Sequence, residues 1–134
     1  MDWLHSGAPT LADIELLAQT AYSQLPESFK QLCGALIIQV VEFPDDATLD
    51  EMNAANEFEL LGLFRGQGLA QRSALPETGA PPNMIWLYRR PLLDFWCEGE
   101  DALGAVVTHV LVHEIGHHFG LSDDDIEAIE DASA

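Results

Sequence analysis

The sequence predicts a single domain, residues 1–134, that contains both α-helices and β-strands. A chain of 134 residues can build one hydrophobic core but is too short for two. Segments with helical spacing of apolar residues and short runs rich in Ile and Val both occur along it. A long segment near the C-terminus is apolar on nearly all sides, which indicates a helix inside the core.

Two helices are predicted at the start of the chain. Thr10 and Asp13 resemble a capping box, and apolar residues follow at helical spacing, so an amphipathic helix is expected over residues 10–24. Pro26 can begin a second, shorter helix that ends near Gly34.

Three strands and two short helices are expected in the middle of the chain. The strands are predicted from β-branched and aromatic runs at residues 35–43, which should be buried, 60–65 and 84–90, which Pro91 should end. Thr48 can cap a short helix that continues through Ala55, and another short helix is expected over residues 92–97. A loop of about sixteen residues rich in Gly and Pro follows the second strand, and such long loops often border functional sites.

The segment from Ala102 to Phe119 is predicted to be the core helix. Its valines favour a strand, but the segment is too long for an ordinary strand and contains no helix breaker. Asp101 can cap its start, and Gly120 can end it in a left-handed conformation. Ser122 and the acidic residues after it favour the start of a last helix, at about 124–131.

The composition is strongly acidic, with 23 Asp and Glu against 5 Lys and Arg and a formal charge of −18. Nucleic acids and anionic membranes require a basic surface, so neither is expected as a partner. The chain has no signal-peptide pattern and no apolar stretch of membrane-spanning length, which predicts a cytoplasmic protein. Cys33 and Cys97 are then expected to be buried free thiols, although the sequence leaves a disulfide between them open.

The predicted core helix carries His113-Glu114-Ile115-Gly116-His117, an HExxH motif. Histidines four residues apart lie on one helical face, about 6 Å apart along the axis, so both imidazoles can bind one ion. Glu114 is rotated by about 100° from His113, which places its carboxylate where it can accept a proton from an activated water molecule. Zinc accepts imidazole nitrogen and leaves a position open for water when three protein groups bind it.

A third ligand is expected after a sharp turn, for which Gly120 is the suitable residue type. Asp123 is the preferred candidate, with Asp124 or Asp125 as substitutes. His109 lies one turn before His113 on the same face, and we expect it to support a ligand or to pack rather than to bind the ion. His118 should point away from the ion.

The sequence resembles the small bacterial zincin-like metallopeptidases, sometimes described as minimal metalloproteases. The likeness is carried by Leu87-Tyr88-Arg89-Arg90-Pro91 and by the segment from Val112 to Asp124, with a weaker match at residues 60–64. These motifs lie in roughly the second half of the chain. The metzincins have a similar extended motif, but they also have a methionine turn after the ligands, whereas Met1, Met52 and Met84 all precede His113 here.

The resemblance implies a compact α+β fold in which a small mixed β-sheet packs on a central active-site helix. It also implies that His113, His117 and Asp123 bind one zinc ion and that Glu114 is the general base. The expected function is hydrolysis of peptide bonds in a peptide or protein substrate. Tyr88 or Arg89 could stabilise the developing oxyanion, although a structural role is the simpler interpretation of both.

An extended peptide could add to a sheet edge at residues 60–65 or 84–90. Two alternative functions remain: a non-catalytic, zinc-stabilised interaction module, and a metal-dependent ribonuclease, which the acidic composition disfavours. The sequence does not indicate the oligomeric state.

Overall fold

The computed structural model describes residues 4–66 and 82–133, which contain six helices and three strands. In chain order these are α1 (Leu11–Ser23), α2 (Glu27–Cys33), β1 (Leu36–Val41), α3 (Asp46–Glu51), β2 (Gly62–Arg65), β3 (Asn83–Tyr88), α4 (Arg89–Glu98), α5 (Leu103–His118) and α6 (Asp123–Ser133). The fold is therefore α+β, as predicted. Most of the long loop predicted after β2 lies outside the described residues.

The three strands form a mixed sheet in the order β1-β3-β2. The strand β1 runs parallel to β3 from the pair Leu36 and Asn83, whereas β2 runs antiparallel to β3. The helix α5 contacts β2 and β3 on one side and α1, α4 and α6 on others. This arrangement confirms the expected packing of a small mixed sheet on a central helix.

The capping box at the start of α1 is present, because the Asp13 N–H donates to Thr10 Oγ1 and the Thr10 N–H donates to Asp13 Oδ2. The prediction that Thr48 caps α3 is wrong. Asp45 is the N-cap, and its carboxylate accepts a hydrogen bond from the Thr48 N–H at 2.8 Å. Asp precedes Thr here, and both residue types cap helices well, so the sequence alone does not separate them.

Two strand predictions need correction. The strand β1 was expected to be buried, but among the described strands it lies at the edge of the sheet, with Ile38 buried and Ile37 exposed. The third strand ends at Tyr88 rather than Arg90, and α4 begins at Arg89 with Pro91 in its first turn. A proline fits there because the first N–H groups of a helix have no partner inside the helix.

The core helix α5 is buried over most of its length, including Val107, Leu111 and Ile115. Its N-cap is Ala102 rather than the predicted Asp101, and no side chain caps it. Gly120 follows the helix with a φ of 77°, which confirms the predicted left-handed turn.

Cys33 and Cys97 are both free; Cys33 is buried as predicted, whereas Cys97 is exposed. None of the described helices has the length and apolar character needed to cross a bilayer.

The absence of a side chain at Gly116 lets α6 approach α5 closely. A Cβ atom at this position would lie 2.8 Å from Cγ1 of Ile126, the buried residue of α6. Such a separation is well below ordinary van der Waals contact, so α6 would have to shift. The motif thus depends on two glycines. Gly116 allows the close approach of α6, and Gly120 forms the turn after α5.

Gly116→Ala should lower the free energy of unfolding by about 1–3 kcal/mol, because the added methyl group overpacks the α5–α6 contact. Urea unfolding checks this. The matched control is Gly104→Ala in the same helix, where the nearest atom to a new Cβ is Leu17 Cδ2 at 3.9 Å. That variant should be neutral or more stable by up to about 1 kcal/mol. Equal changes in the free energy of unfolding for Gly116→Ala and Gly104→Ala would contradict the close approach of α6 to α5 at Gly116.

Candidate metal centre

His113 and His117 lie on one face of α5, as their spacing predicts. Their ring centroids are 5.2 Å apart and the rings are nearly perpendicular. Both side chains are partly exposed, so water and ions can reach them. Burial lowers the pKa of His113, and the neighbouring His109 lowers it further. The neutral imidazole is thereby favoured, and this is the form that binds a metal.

Asp123 is brought back to the helix by the turn at Gly120. Its Oδ1 atom lies 3.1 Å from Nε2 of His117. Of the two substitutes, Asp125 is engaged in capping α6, because its N–H donates to Ser122 Oγ at 3.1 Å and its carboxylate accepts from the Ser122 N–H. The Asp123 side chain is 88% exposed and can rotate without disturbing any packing. We call His113, His117 and Asp123 the motif group.

The structure places His113 closer to a different carboxylate. Glu130 of α6 has its Oε1 atom 3.5 Å from Nε2 of His113 and 2.8 Å from Nδ1 of His109. Among the described residues, His109, His113 and Glu130 are the one set of three whose ligand atoms all lie within 4.8 Å of one another. We call them the outer group. The ligand atoms of the motif group therefore do not form one such set, because His117 contacts Asp123 whereas His113 lies toward Glu130.

Sequence reasoning missed Glu130. The residue follows the buried Ile126 by four positions, so the two share the face of α6 that packs on α5. The position of this acidic residue one turn after Ile126, on the side of α6 that packs on α5, was the signal that could have identified it. Its Oε1 atom is buried and has no hydrogen-bond partner among the described residues, although Nδ1 of His109 lies 2.8 Å away. An unpartnered buried oxygen costs about 1–3 kcal/mol, which a bound cation would offset.

Glu114 lies on α5 beside the histidines and is partly buried. Burial raises the pKa of its carboxyl group, and the nearby His117 opposes this effect. A carboxylate whose pKa is raised toward neutrality is a stronger proton acceptor than an exposed one. The structure thus places a partly buried carboxyl group with a raised pKa on the helix that carries both motif histidines.

Tyr88 and Arg89 lie at the end of β3 and the start of α4. Tyr88 is only 3% exposed, and burial raises its pKa, with the Asp45 and Glu114 carboxylates raising it further. The Arg89 guanidinium is engaged elsewhere: Nε donates to the Pro9 carbonyl at 2.6 Å and Nη1 donates to Glu42 at 3.0 Å. These contacts favour a structural role for Arg89, since they tie the N-terminal segment to the sheet.

His118 points away from the other histidines, as predicted. Its Nε2 atom lies 2.9 Å from the Gly66 carbonyl oxygen, and its ring packs on Phe64 with centroids 4.5 Å apart. His118 therefore fixes the C-terminal end of α5 against the end of β2.

The donor atoms suit a transition-metal ion. Ligands bonded at about 2.0–2.2 Å around a tetrahedral ion lie roughly 3.4 Å from one another. The separations of 3.1 Å in the motif group and of 2.8 and 3.5 Å in the outer group fall close to this value. Imidazole nitrogen and carboxylate oxygen are both zinc ligands. The residues present therefore fit zinc.

The sequence comparisons agree with this chemistry. Residues 33–132 match the model of a family described as zincin-like metallopeptidase. The matched region covers most of the chain and includes the sheet, the HExxH helix and α6. No curated protein matches the chain. The chain belongs to the zincin-like metallopeptidase family, which confirms the resemblance inferred from the motifs.

Proposed function

From membership in this family, we propose that the protein is a zinc-dependent metallopeptidase that hydrolyses peptide bonds with Glu114 as general base. The observation that carries the proposal is the placement of a partly buried Glu114 on the same helix as His113 and His117, with Asp123 3.1 Å from His117. A purely structural zinc site has no use for a proton acceptor at this position.

His113, His117 and Asp123 would hold the ion, which leaves one position of a tetrahedral site open. When bound, zinc supplies Lewis acidity, which polarises a carbonyl group and makes water more acidic. Asp123 completes the ligand set because two imidazoles alone leave the site underfilled. Its exposed side chain can turn toward His113 as the ion binds.

Glu114 holds and moves the proton. Its carboxylate accepts a proton from the attacking water molecule and returns it to the leaving amine of the substrate. The raised pKa of Glu114 helps the first step, because a carboxylate with a higher pKa accepts a proton more readily, and the protonated carboxyl group can then hold that proton until the leaving amine takes it. Both transfers use one side chain, so its position relative to the scissile bond decides the rate.

The substrate would bind as an extended peptide beside β2. This strand lies at an edge of the sheet within the described residues, and its Phe64 packs on His118 and Phe119 at the end of α5. The prediction that residues 84–90 could form a free sheet edge is wrong, because β3 pairs with β1 on one side and with β2 on the other. An added strand gains main-chain hydrogen bonds, and pockets for alternate side chains give specificity.

The two alternatives are less well supported. An interaction module would not require Glu114 to be partly buried beside the histidines, where the loss of hydration raises its pKa. A ribonuclease would need cations to neutralise phosphates, and the chain has 5 Lys and Arg against 23 Asp and Glu. Arg65 and Arg89 are, in addition, paired with Glu51 and Glu42.

A peptide-library digest tests the proposal. The zinc-loaded protein should cleave a subset of proteome-derived peptides at a defined sequence, and a chelator should stop the cleavage. Mass spectrometry of the products identifies the cleaved bonds. Zinc-loaded, folded protein that cleaves no peptide would contradict the proposal and favour the interaction module.

A further inference from the structure

Glu130 and His109 lie outside the HExxH motif, and the proposed hydrolysis uses neither residue. They nevertheless lie against His113, which belongs to the motif. His109 and His113 are also stacked, with ring centroids 3.9 Å apart. Two imidazoles and one carboxylate therefore converge around His113, on the side that faces away from His117.

The geometry of the outer group is that of a cation site rather than of a hydrogen-bonded cluster. Glu130 Oε1 is buried and accepts no hydrogen bond from the described residues, although Nδ1 of His109 is only 2.8 Å away. Atoms that bind the same ion direct their lone pairs at the ion, so they come close without hydrogen-bonding to each other. The separations of 2.8 and 3.5 Å bracket the value of roughly 3.4 Å expected around a tetrahedral ion.

An ion pair between a protonated His109 and Glu130 is the simplest competing account. It explains the 2.8 Å distance, but it leaves Glu130 Oε1 without a hydrogen-bond partner and gives His113 no role. It also places a charged His109 on the ring of His113, at 3.9 Å between centroids. A shared ion accounts for all three residues at once.

An ion can reach the outer group from solvent. A cavity of about 530 Å³ between α1 and α5 is lined by both His109 and Glu130, together with Leu16, Leu17 and Thr108 among others. The His109 side chain is half exposed. The net charge of −18 raises the local concentration of cations around the whole protein.

We propose that His109, His113 and Glu130 form a second binding position for one divalent transition-metal ion of the zinc class. The two positions share His113, and Nε2 of His113 can bind one ion at a time, so they compete. Occupation of the outer position withdraws His113 from the motif group. This proposal does not require that the protein cleaves peptides.

The test uses a chain in which the motif group is disabled but the outer group is intact. The double variant His117→Asn/Asp123→Asn, freed of metal, is titrated with Co²⁺ and followed by its visible absorption and by calorimetry. It should bind one ion per chain. Adding Glu130→Gln should weaken this binding by more than about tenfold. Even the loss of a residue that only hydrogen-bonds to a metal ligand costs about 10- to 100-fold in affinity, and Glu130 is proposed to bind the ion directly. Absence of binding by the double variant, or no effect of Glu130→Gln, overturns the proposal.

A second measurement uses the unsubstituted chain and does not depend on how the variants fold. Imidazole nitrogen NMR signals are followed while zinc is added to the metal-free chain well beyond one ion per chain, so that one ion can bind at the outer position with His113 while a second stays on His117 and Asp123. The His109 signals should shift by the amount typical of metal ligation, and Glu130→Gln should abolish that shift. Unperturbed His109 signals up to millimolar zinc overturn the proposal. Absent peptidase activity with a normal His109 shift would instead reject only the proposed function.

Discussion

Glu114→Gln should lower peptide hydrolysis by at least about a hundredfold while zinc content stays near that of the parent chain. The amide has almost the same shape as the carboxylate but cannot accept the proton from water. Glu114 is no member of either ligand group, so the ion should remain. Turnover of the best library peptide and zinc content are measured on the same preparation.

The matched control is Asp123→Ala, which changes a proposed ligand rather than the base. This variant should bind zinc at least about tenfold more weakly, because the motif group is left with two imidazoles. The zinc that it keeps would be held by the outer group and lost on adding Glu130→Gln. If Asp123→Ala binds zinc as well as the parent, Asp124 becomes the candidate third ligand. Full turnover by Glu114→Gln would show that the proposed mechanism is wrong.

Removal of zinc should destabilise the fold by roughly 4 kcal/mol relative to protein in a thousandfold excess of zinc over its dissociation constant. In the proposed site the ion would join α5 to Asp123 at the start of α6, and the unfolded chain offers no preformed site. Thermal unfolding with and without a chelator measures the effect as a lower melting temperature.

The control for this experiment is His113→Asn, whose melting temperature should not respond to the chelator because both ligand groups have lost a member. A parent chain whose melting curve is unchanged after confirmed zinc removal would show that the ion does not stabilise the folded state.

The features that follow from local sequence were predictable. The spacing of His113 and His117 requires only a helix, and the length of the apolar segment was sufficient to predict that helix. The capping box of Thr10 and Asp13 and the left-handed Gly120 depend on the residues themselves and their immediate neighbours. These predictions hold because hydrogen bonds within a few residues decide the local conformation.

The features that depend on distant contacts were not predictable. The apolar run in β1 gave no sign that this strand would lie at a sheet edge, because strand order is set by pairing across the chain. Pro91 looked like a strand terminator, whereas it occupies the first turn of α4. Glu130 joins His109 and His113 only because α6 packs closely on Gly116, a contact that no local pattern encodes.

The zinc content of His113→Asn, compared with that of the parent chain, tests the central claim most directly, since His113 is the one residue shared by the motif group and the outer group. Both proteins are purified under one protocol, checked for folding by circular dichroism and analysed by mass spectrometry for metals. The parent should retain zinc through gel filtration, and the variant should lose nearly all of it while remaining folded. A folded His113→Asn chain that carries as much zinc as the parent would contradict the account.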